Sequence, residues 1–329
     1  MTLKELSDKL NVSQSTISRV LNDKPGIKAE TRAKVLEGIK KENYSTNYAA
    51  KNLASSTSRI IGIIGRNRGS EEDSIFFHHS LNQFMEITNQ NNFLFVAIPY
   101  NGTRINFENS PLSVDDYAGF IVRGQSIPTK DIISLQQYNK PIVLLENALE
   151  QTEIDYVTSN DYELEKQLVQ ILVDGGYKRI VHITGPSSWY NNRERARGYS
   201  DVMKENNMKE EIIHLEDTTT NFGIQVFDQL NIDPKEKTGI SLSNDALAIG
   251  FMKVAGEHDL QIPNQLGIVG FDDIPWAQYT TPPLTTANTH ISEMGIVAAQ
   301  RLINKIDQKV KFHTSIVMSG EIKKRKTTL

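Results

Sequence analysis

The chain has 329 residues, enough for two or three domains, with 38% hydrophobic and 23% charged residues and no cysteine. Such a composition excludes a disordered or fibrous chain, and the absence of cysteine removes disulfide frameworks, thiolate zinc sites, iron–sulfur clusters and cysteine nucleophiles. The net charge of −4 is unevenly divided: residues 1–56 hold ten Lys/Arg against six Asp/Glu, so a head of +4 precedes a body of −8.

No window approaches the length of an apolar membrane span, and Lys4, Glu5, Asp8 and Lys9 interrupt any signal-peptide core. A cytoplasmic protein with no membrane contact is expected. Thr2 and Glu5 form a capping-box pair ahead of Leu3, Leu6 and Leu10, and Asn11 ends this first helix. Ser13 is the expected cap of a second helix whose Ile17, Val20 and Leu21 face inward. The very short turn between the two predicts a helix-turn-helix, in which the second helix enters the DNA major groove. Gln14, Ser15, Ser18 and Arg19 then lie on the outer side. Gln14 suits an adenine edge, Arg19 a guanine or a phosphate, and Ser13, Ser15 and Thr16 suit phosphates. The competing reading is the polar face of any three-helix domain. A third helix is expected from Ala29 to about Asn43 with Val35, Leu36 and Ile39 on its apolar side. Residues 45–58 are rich in small residues, carry Leu53, and read as a linker.

From Arg59 onward, strand-like runs (60–65, 93–98, 119–122, 142–145, 180–183, 239–242, 267–270 and 316–318) alternate with helical stretches near 76–91, 161–174, 191–206, 245–258 and 291–306. The alternation predicts an α/β body, doubly wound around parallel sheets and long enough for two such units. Ligands in such folds bind beyond the carboxyl ends of the strands. The chain has no GxGxxG after the first strand, no GxxxxGK[ST], no GxSxG and no HExxH. His78 and His79 read as ordinary histidines rather than metal ligands. The adjacent carboxylates Asp272 and Asp273 point in different directions from a strand end, which argues against glycoside hydrolysis. Neither catalysis, metal nor cofactor is expected.

The run LKELSDKLNVSQSTISRVLND, then ETRAKVLEGIKKENYSTN and AAKNLA, resembles the headpiece of LacI/GalR-family transcriptional regulators. The likeness continues through GGYKRIVHITGP, RERARGY, LSNDALAIGFMKV and IPNQLGIVGFDDIPWAQYTTPPLTT. It implies a helix-turn-helix domain at 1–45, a hinge helix at 46–58 and an effector-binding and dimerisation body at 59–329. The N-subdomain would take about 59–158 and 289–311, the C-subdomain about 159–288 and 312–329, as in periplasmic sugar-binding proteins. It also implies base contacts from Gln14, Ser15 and Arg19, further DNA contacts from Asn22, Tyr44 and Asn47, and Leu53 as a minor-groove wedge. Arg195, Asn244 and Asp272 fall at effector positions, Arg123 and Glu146 end strands facing the same cleft, and Phe77 and Phe222 fall where aromatic walls occur. Competing readings are helix capping by Asn244 or Asp272, an ion pair for Arg195, and a mutual pair for Arg123 and Glu146. The sequence departs from the family at Thr46, often Pro, at Lys28, often a capping Ser, and in the short crossover between Tyr100 and Tyr117.

The implied function is a homodimeric repressor of a carbohydrate-utilisation operon. It would bind a pseudo-palindromic operator and sense a sugar, with a phosphocarrier protein as a further candidate corepressor. Arg66, Arg68 and Arg123 keep a phosphorylated or carboxylated effector in play. The alternatives are a solute-binding protein of a sugar transporter, or an activator or corepressor-dependent regulator of the same family.

Overall fold

The computed structural model describes residues 3–21, 25–42, 58–66, 84–102, 105, 107, 112–150 and 152–329. The chain divides into two compact units, Met1–Ser58 and Arg59–Leu329.

The first unit holds α1 (Leu3–Leu10), α2 (Gln14–Leu21) and α3 (Ala29–Lys41). Leu6, Ile17, Val20 and Val35 form its core, with Leu10, Val12, Leu21 and Ile39 packed around them. Asn11 leaves α1 in the left-handed region at φ 47°. Ser7 Oγ donates to the Val12 carbonyl at 2.8 Å, which tightens the turn. Ser13 caps α2, its Oγ accepting the Thr16 N–H at 3.2 Å. A Cβ on Gly38 would lie 2.3 Å from Leu10 Cδ2, so the glycine is what lets α1 close on α3. One expectation fails here: Leu36 is 52% exposed, because Val35 and Ile39, one turn apart, already take the inward stripe of α3. Lys28 makes no side-chain cap, as its departure from the family pattern implied. Asn22, Tyr44, Asn47 and Leu53, and with them the expected hinge helix, lie outside the described residues.

The second unit contains two parallel sheets. In one, β1 (Ile60–Arg66), β2 (Leu94–Tyr100), β3 (Gly119–Arg123), β4 (Ile142–Leu145), β5 (Asp155–Ser159) and β11 (Ser315–Met318) run in the order β11-β5-β4-β3-β1-β2. In the other, β6 (Arg179–Thr184), β7 (Ile212–His214), β8 (Thr238–Leu242) and β9 (Leu266–Val269) run in the order β7-β6-β8-β9. Strand β10 (Thr286–Asn288) pairs antiparallel with β12 (Glu321–Lys323). Helices whose two ends lie among the described residues are α4 (Thr129–Ser134), α5 (Asp161–Asp174), α6 (Tyr190–Glu205), α7 (Thr220–Val226), α8 (Asp245–Glu257) and α9 (Ile291–Ile306), and residues 84–90 are helical as well.

Strand alternation sorts the cores. Ile61, Ile63, Ile121, Val143 and Leu145 pack beneath Met294, Ala298 and Leu302 of α9, whereas Ile64, Phe120, Val122, Ile142 and Leu144 face Ile132 and Leu135. In the second lobe, Val181, Ile183, Ile240 and Ile268 pack with Leu247 and Phe251 of α8, and Ile180 and Val269 pack with Leu164 and Leu168 of α5.

Several elements differ from the sequence-based expectation: the short β7, β10, β12 and α4 lie outside the expected runs, and β11, β5 and α7 depart from it as follows. Strand β11 pairs with β5 (Ser315↔Tyr156 to Met318↔Ser159), so residues 315–318 belong to the first lobe's sheet rather than to the C-subdomain expected from 312. Strand β5 has no apolar run to mark it, because DYVTS is polar. Its Asp155 is buried against Arg301 and Lys305 of α9, the latter at 2.8 Å. Burial alone would lift the Asp155 carboxyl, but the two cations outweigh it and hold it below its ordinary range. Helix α7 is short and carries two polar residues at its start, which hides its period. Of the short crossover after Tyr100, the described part holds a single 3-10 turn at Val114–Asp116 and the apolar side chains Ile105 and Phe107, the latter ring-packed on Tyr117, Phe120 and Tyr138.

The chain passes between the lobes after β5, after β10 and after β11, and these passages are tied together. Asn160 N–H donates to the Met318 carbonyl at 2.9 Å, and a Cβ on Gly320 would lie 2.3 Å from the Asn288 carbonyl. Among the described residues no helix is long and apolar enough to cross a membrane, and no group of three or more His, Asp or Glu could hold a metal.

Candidate functional site

On α2, Ile17 and Val20 are buried while Gln14, Ser15 and Arg19 are exposed, so the side chains suited to bases and phosphates stand free of the core. Ser13 Oγ lies 2.9 Å from Ser15 Oγ and 2.8 Å from Thr16 Oγ1, a hydroxyl cluster at the start of the helix, where the N-terminal dipole favours phosphate. Ser18 is half-buried. Arg19 donates to the Pro25 carbonyl at 2.8 Å; with exposed geometry and one backbone acceptor it is able to exchange that contact for a nucleic-acid one.

In the body, residues from the carboxyl ends of both sheets converge. Arg123 ends β3, and its Nε donates to Glu146 Oε2 at 3.0 Å just beyond β4. The pair expected between these two residues is therefore present. Glu146 adopts φ 59°. Burial pushes its carboxyl above the ordinary range, against the pull of Arg123 and of Arg195.

Arg195, on α6, is buried. Its Nε donates to Asp161 Oδ1 at 2.7 Å, a terminal nitrogen lies 2.6 Å from the same oxygen, and another donates to the Ser243 carbonyl. The guanidinium carbon stacks 3.7 Å over the Phe271 ring. Burial works against its charge, and Asp161 and Asp272 more than restore it, so the group stays protonated. Asp161 itself accepts from Ser159 Oγ at 3.1 Å.

Asp272 is the outlier of the site. Its φ of 104° is one that non-glycine residues rarely adopt, and its N–H is held on the Ala287 carbonyl at 2.8 Å. Its carboxylate lies 3.7 Å from Arg195 and makes no hydrogen bond among the described residues. Burial raises its pKa well above the ordinary range; Asp245, Glu146 and Asp161 add to the rise while Arg195 opposes it. Asp272 caps no helix. That local bond is made by Asp245, whose Oδ2 accepts the Ile274 N–H at 2.9 Å and whose Oδ1 accepts Thr286 Oγ1 at 2.6 Å.

Other expected residues divide. Asn244 is the cap of α8, accepting the Leu247 N–H at 2.9 Å and donating to the Thr218 carbonyl at 3.0 Å, so its side chain is largely committed to structure. Phe222 is half-buried against the second lobe's core. Arg66 is exposed at the end of β1, and Phe77 and Arg68 lie outside the described residues. Further polar groups have no motif that marks them in the sequence. Asn191, Thr184 and Ser243 are buried at the start of α6 and the ends of β6 and β8, each with a side-chain oxygen lacking a partner. The rule that ligands sit beyond the strand ends would have pointed to the last two.

Residues 169–328 match a family model described as a periplasmic binding protein-like domain, and residues 2–47 match one described as bacterial regulatory proteins, lacI family. The probable HTH-type transcriptional repressor ExuR of Bacillus subtilis is 28% identical over 311 residues, covering 94% of this chain and 92% of the relative. The ribose operon repressor of Escherichia coli is 27% identical over 314 residues, covering 93% of each. The lac repressor dimer bound to operator and the anti-inducer ONPF has a TM-score of 0.79 at 22% identity, covering 100% of this chain and 99% of that one.

Proposed function

Because the chain belongs to the lacI family of bacterial regulatory proteins, a family of DNA-binding regulators rather than enzymes, we propose that it is a cytoplasmic, homodimeric repressor of a carbohydrate-utilisation operon that answers to a sugar. In this reading residues 1–45 bind DNA, 46–58 form a hinge, and 59–329 bind effector and pair with a second copy. Twofold symmetry then asks for a pseudo-palindromic operator. Ser13, Ser15, Thr16 and the basic residues of the head hold phosphates, and Gln14 and Arg19 read bases.

The observation that carries the effector reading is Asp272. A strained, half-buried carboxylate with no hydrogen bond among the described residues, set 3.7 Å from a stacked and fixed arginine, is an acceptor suited to hydroxyl groups. Glu146 and Arg123, hydrogen-bonded to each other, bring a second acid and base from the other lobe. A sugar bridging the two pairs would hold the lobes at one angle. That angle sets the spacing of the two hinges in a dimer, and so couples the effector to the operator. The sugar-operon name of one relative supports the same class of ligand.

A thermal-shift screen of the full chain over neutral sugars, uronic acids and sugar phosphates tests this, since a bound ligand raises apparent stability by mass action. One sugar should raise the melting temperature of the wild type and leave Asp272→Asn unmoved. An equal shift in the variant would remove Asp272 from the site.

A further inference from the structure

Helix α6 begins without a cap of its own. Trp189 at its N-cap position makes no side-chain capping hydrogen bond to the helix, although the first N–H groups of any helix need acceptors from outside it. One of them has an acceptor in the other lobe: the Asn191 N–H donates to Gln125 Oε1 at 2.7 Å. Gln125 follows β3, and its loop is anchored within the first lobe. Gly124 N–H donates to the Leu145 carbonyl at 3.0 Å, and Asn147 Nδ2 donates to the Gly124 carbonyl at 3.2 Å. The same first turn of α6 makes a second crossing contact, Arg193 to Glu150 at 3.5 Å, with the Arg193 guanidinium 5.4 Å over the Tyr190 ring. Arg195 lies one helical turn beyond Asn191, on the same helix.

We propose that Gln125 is a positioning residue that caps α6 from across the junction, so that closing the lobes completes the helix bearing Arg195 and opening them uncaps it. The cap ties the geometry of the effector arginine to the inter-lobe angle before any ligand is present. Of the two crossing contacts Gln125 is the stronger. It is half-buried and accepts from a backbone N–H, whereas Arg193 and Glu150 are exposed and a pair of that kind contributes little. The proposal extends the effector reading, but its test needs no effector, so its failure would leave that reading standing.

The chain has no native cysteine, so spin labels can be placed at Lys130→Cys and Ser188→Cys, exposed positions on the two lobes, in full-length protein diluted with unlabelled chain. The inter-label distance distribution is measured without ligand. Gln125→Ala should shift it toward longer distances, with the closed-to-open ratio falling about fivefold, as expected for loss of a cap. Gln125→Glu, whose carboxylate accepts the same N–H, should keep the wild-type distribution, and Glu150→Gln should move it less than Gln125→Ala does. An Ala variant indistinguishable from wild type, or a Glu variant as open as the Ala variant, overturns the proposal.

Discussion

In the head, Gln14, Ser15 and Arg19 stand exposed on a helix whose core would pack equally well without them, whereas in the body Arg195 and Asp161 are buried and bound to each other, with the half-buried Asp272 3.7 Å from Arg195. The difference follows from the two partners. DNA brings its own charge and water, so the head needs only to hold polar side chains outward on a rigid helix. A small effector must be enclosed, so the body has to stabilise charged groups away from water until the ligand arrives, and it does so by pairing them. Substitutions in the body should therefore cost stability, while substitutions on the outer face of α2 should cost only recognition.

The largest effect is expected from Arg195→Ala, which leaves Asp161 buried without its counter-charge. Loss of about 3–5 kcal/mol of stability is expected in urea unfolding of the full chain. A loss below about 1 kcal/mol would mean that the cluster is not held together by this residue. Replacement by Ala thus cannot isolate the effector role of Arg195, which is why Asp272→Asn is the sharper probe of ligand binding.

Next is a pH effect confined to the body. Burial, against hydrogen bonds from Thr286 and Ile274, lifts the Asp245 carboxyl to about 7, whereas an unfolded Asp titrates near about 3.9. The folded state thus favours the protonated form: its contribution to stability is full below about pH 4 and is lost as pH rises through about 7. Asp155, held low by Arg301 and Lys305, contributes with the opposite sign, above its unfolded value and lost on acidification. The melting temperature of Asp245→Asn should therefore fall less than that of wild type between about pH 5 and about pH 8. Equal slopes by calorimetry would show that Asp245 does not take up a proton on folding.

The smallest effects belong to the head. Ser13→Ala removes the cap of α2 and should cost about 1 kcal/mol in unfolding of the head. Gln14→Ala should stay within about 0.5 kcal/mol in stability, yet change base preference at a few operator positions. A uniform loss of affinity across sequences would make Gln14 a phosphate contact instead.

Much of the fold was legible in the sequence because its strands are short apolar runs and its long helices carry clear inward stripes. Strand β5 was not legible, since its polar residues are made tolerable by Arg301 and Lys305 about 150 residues further on. The membership of β11 likewise depends on pairing with a strand far away in sequence. In the site, Arg123, Glu146 and Asp272 are legible from family resemblance together with their places at strand ends, and Arg195 from the RERARGY run alone. Asp161 and Gln125 are not legible in the sequence, because each acquires its role only from a partner brought close by folding, Arg195 for one and the start of α6 for the other. Asn244 shows the converse: a residue that fits an effector position is occupied by a local cap.

The most direct test of the account is selection of DNA from a random library by the full-length wild-type chain. Enrichment of an inverted repeat, with Gln14→Ala altering the preferred bases within each half but not the symmetry, is the predicted result. Enrichment of no sequence, or of a single half-site without its symmetric mate, would contradict a homodimeric, sequence-reading regulator.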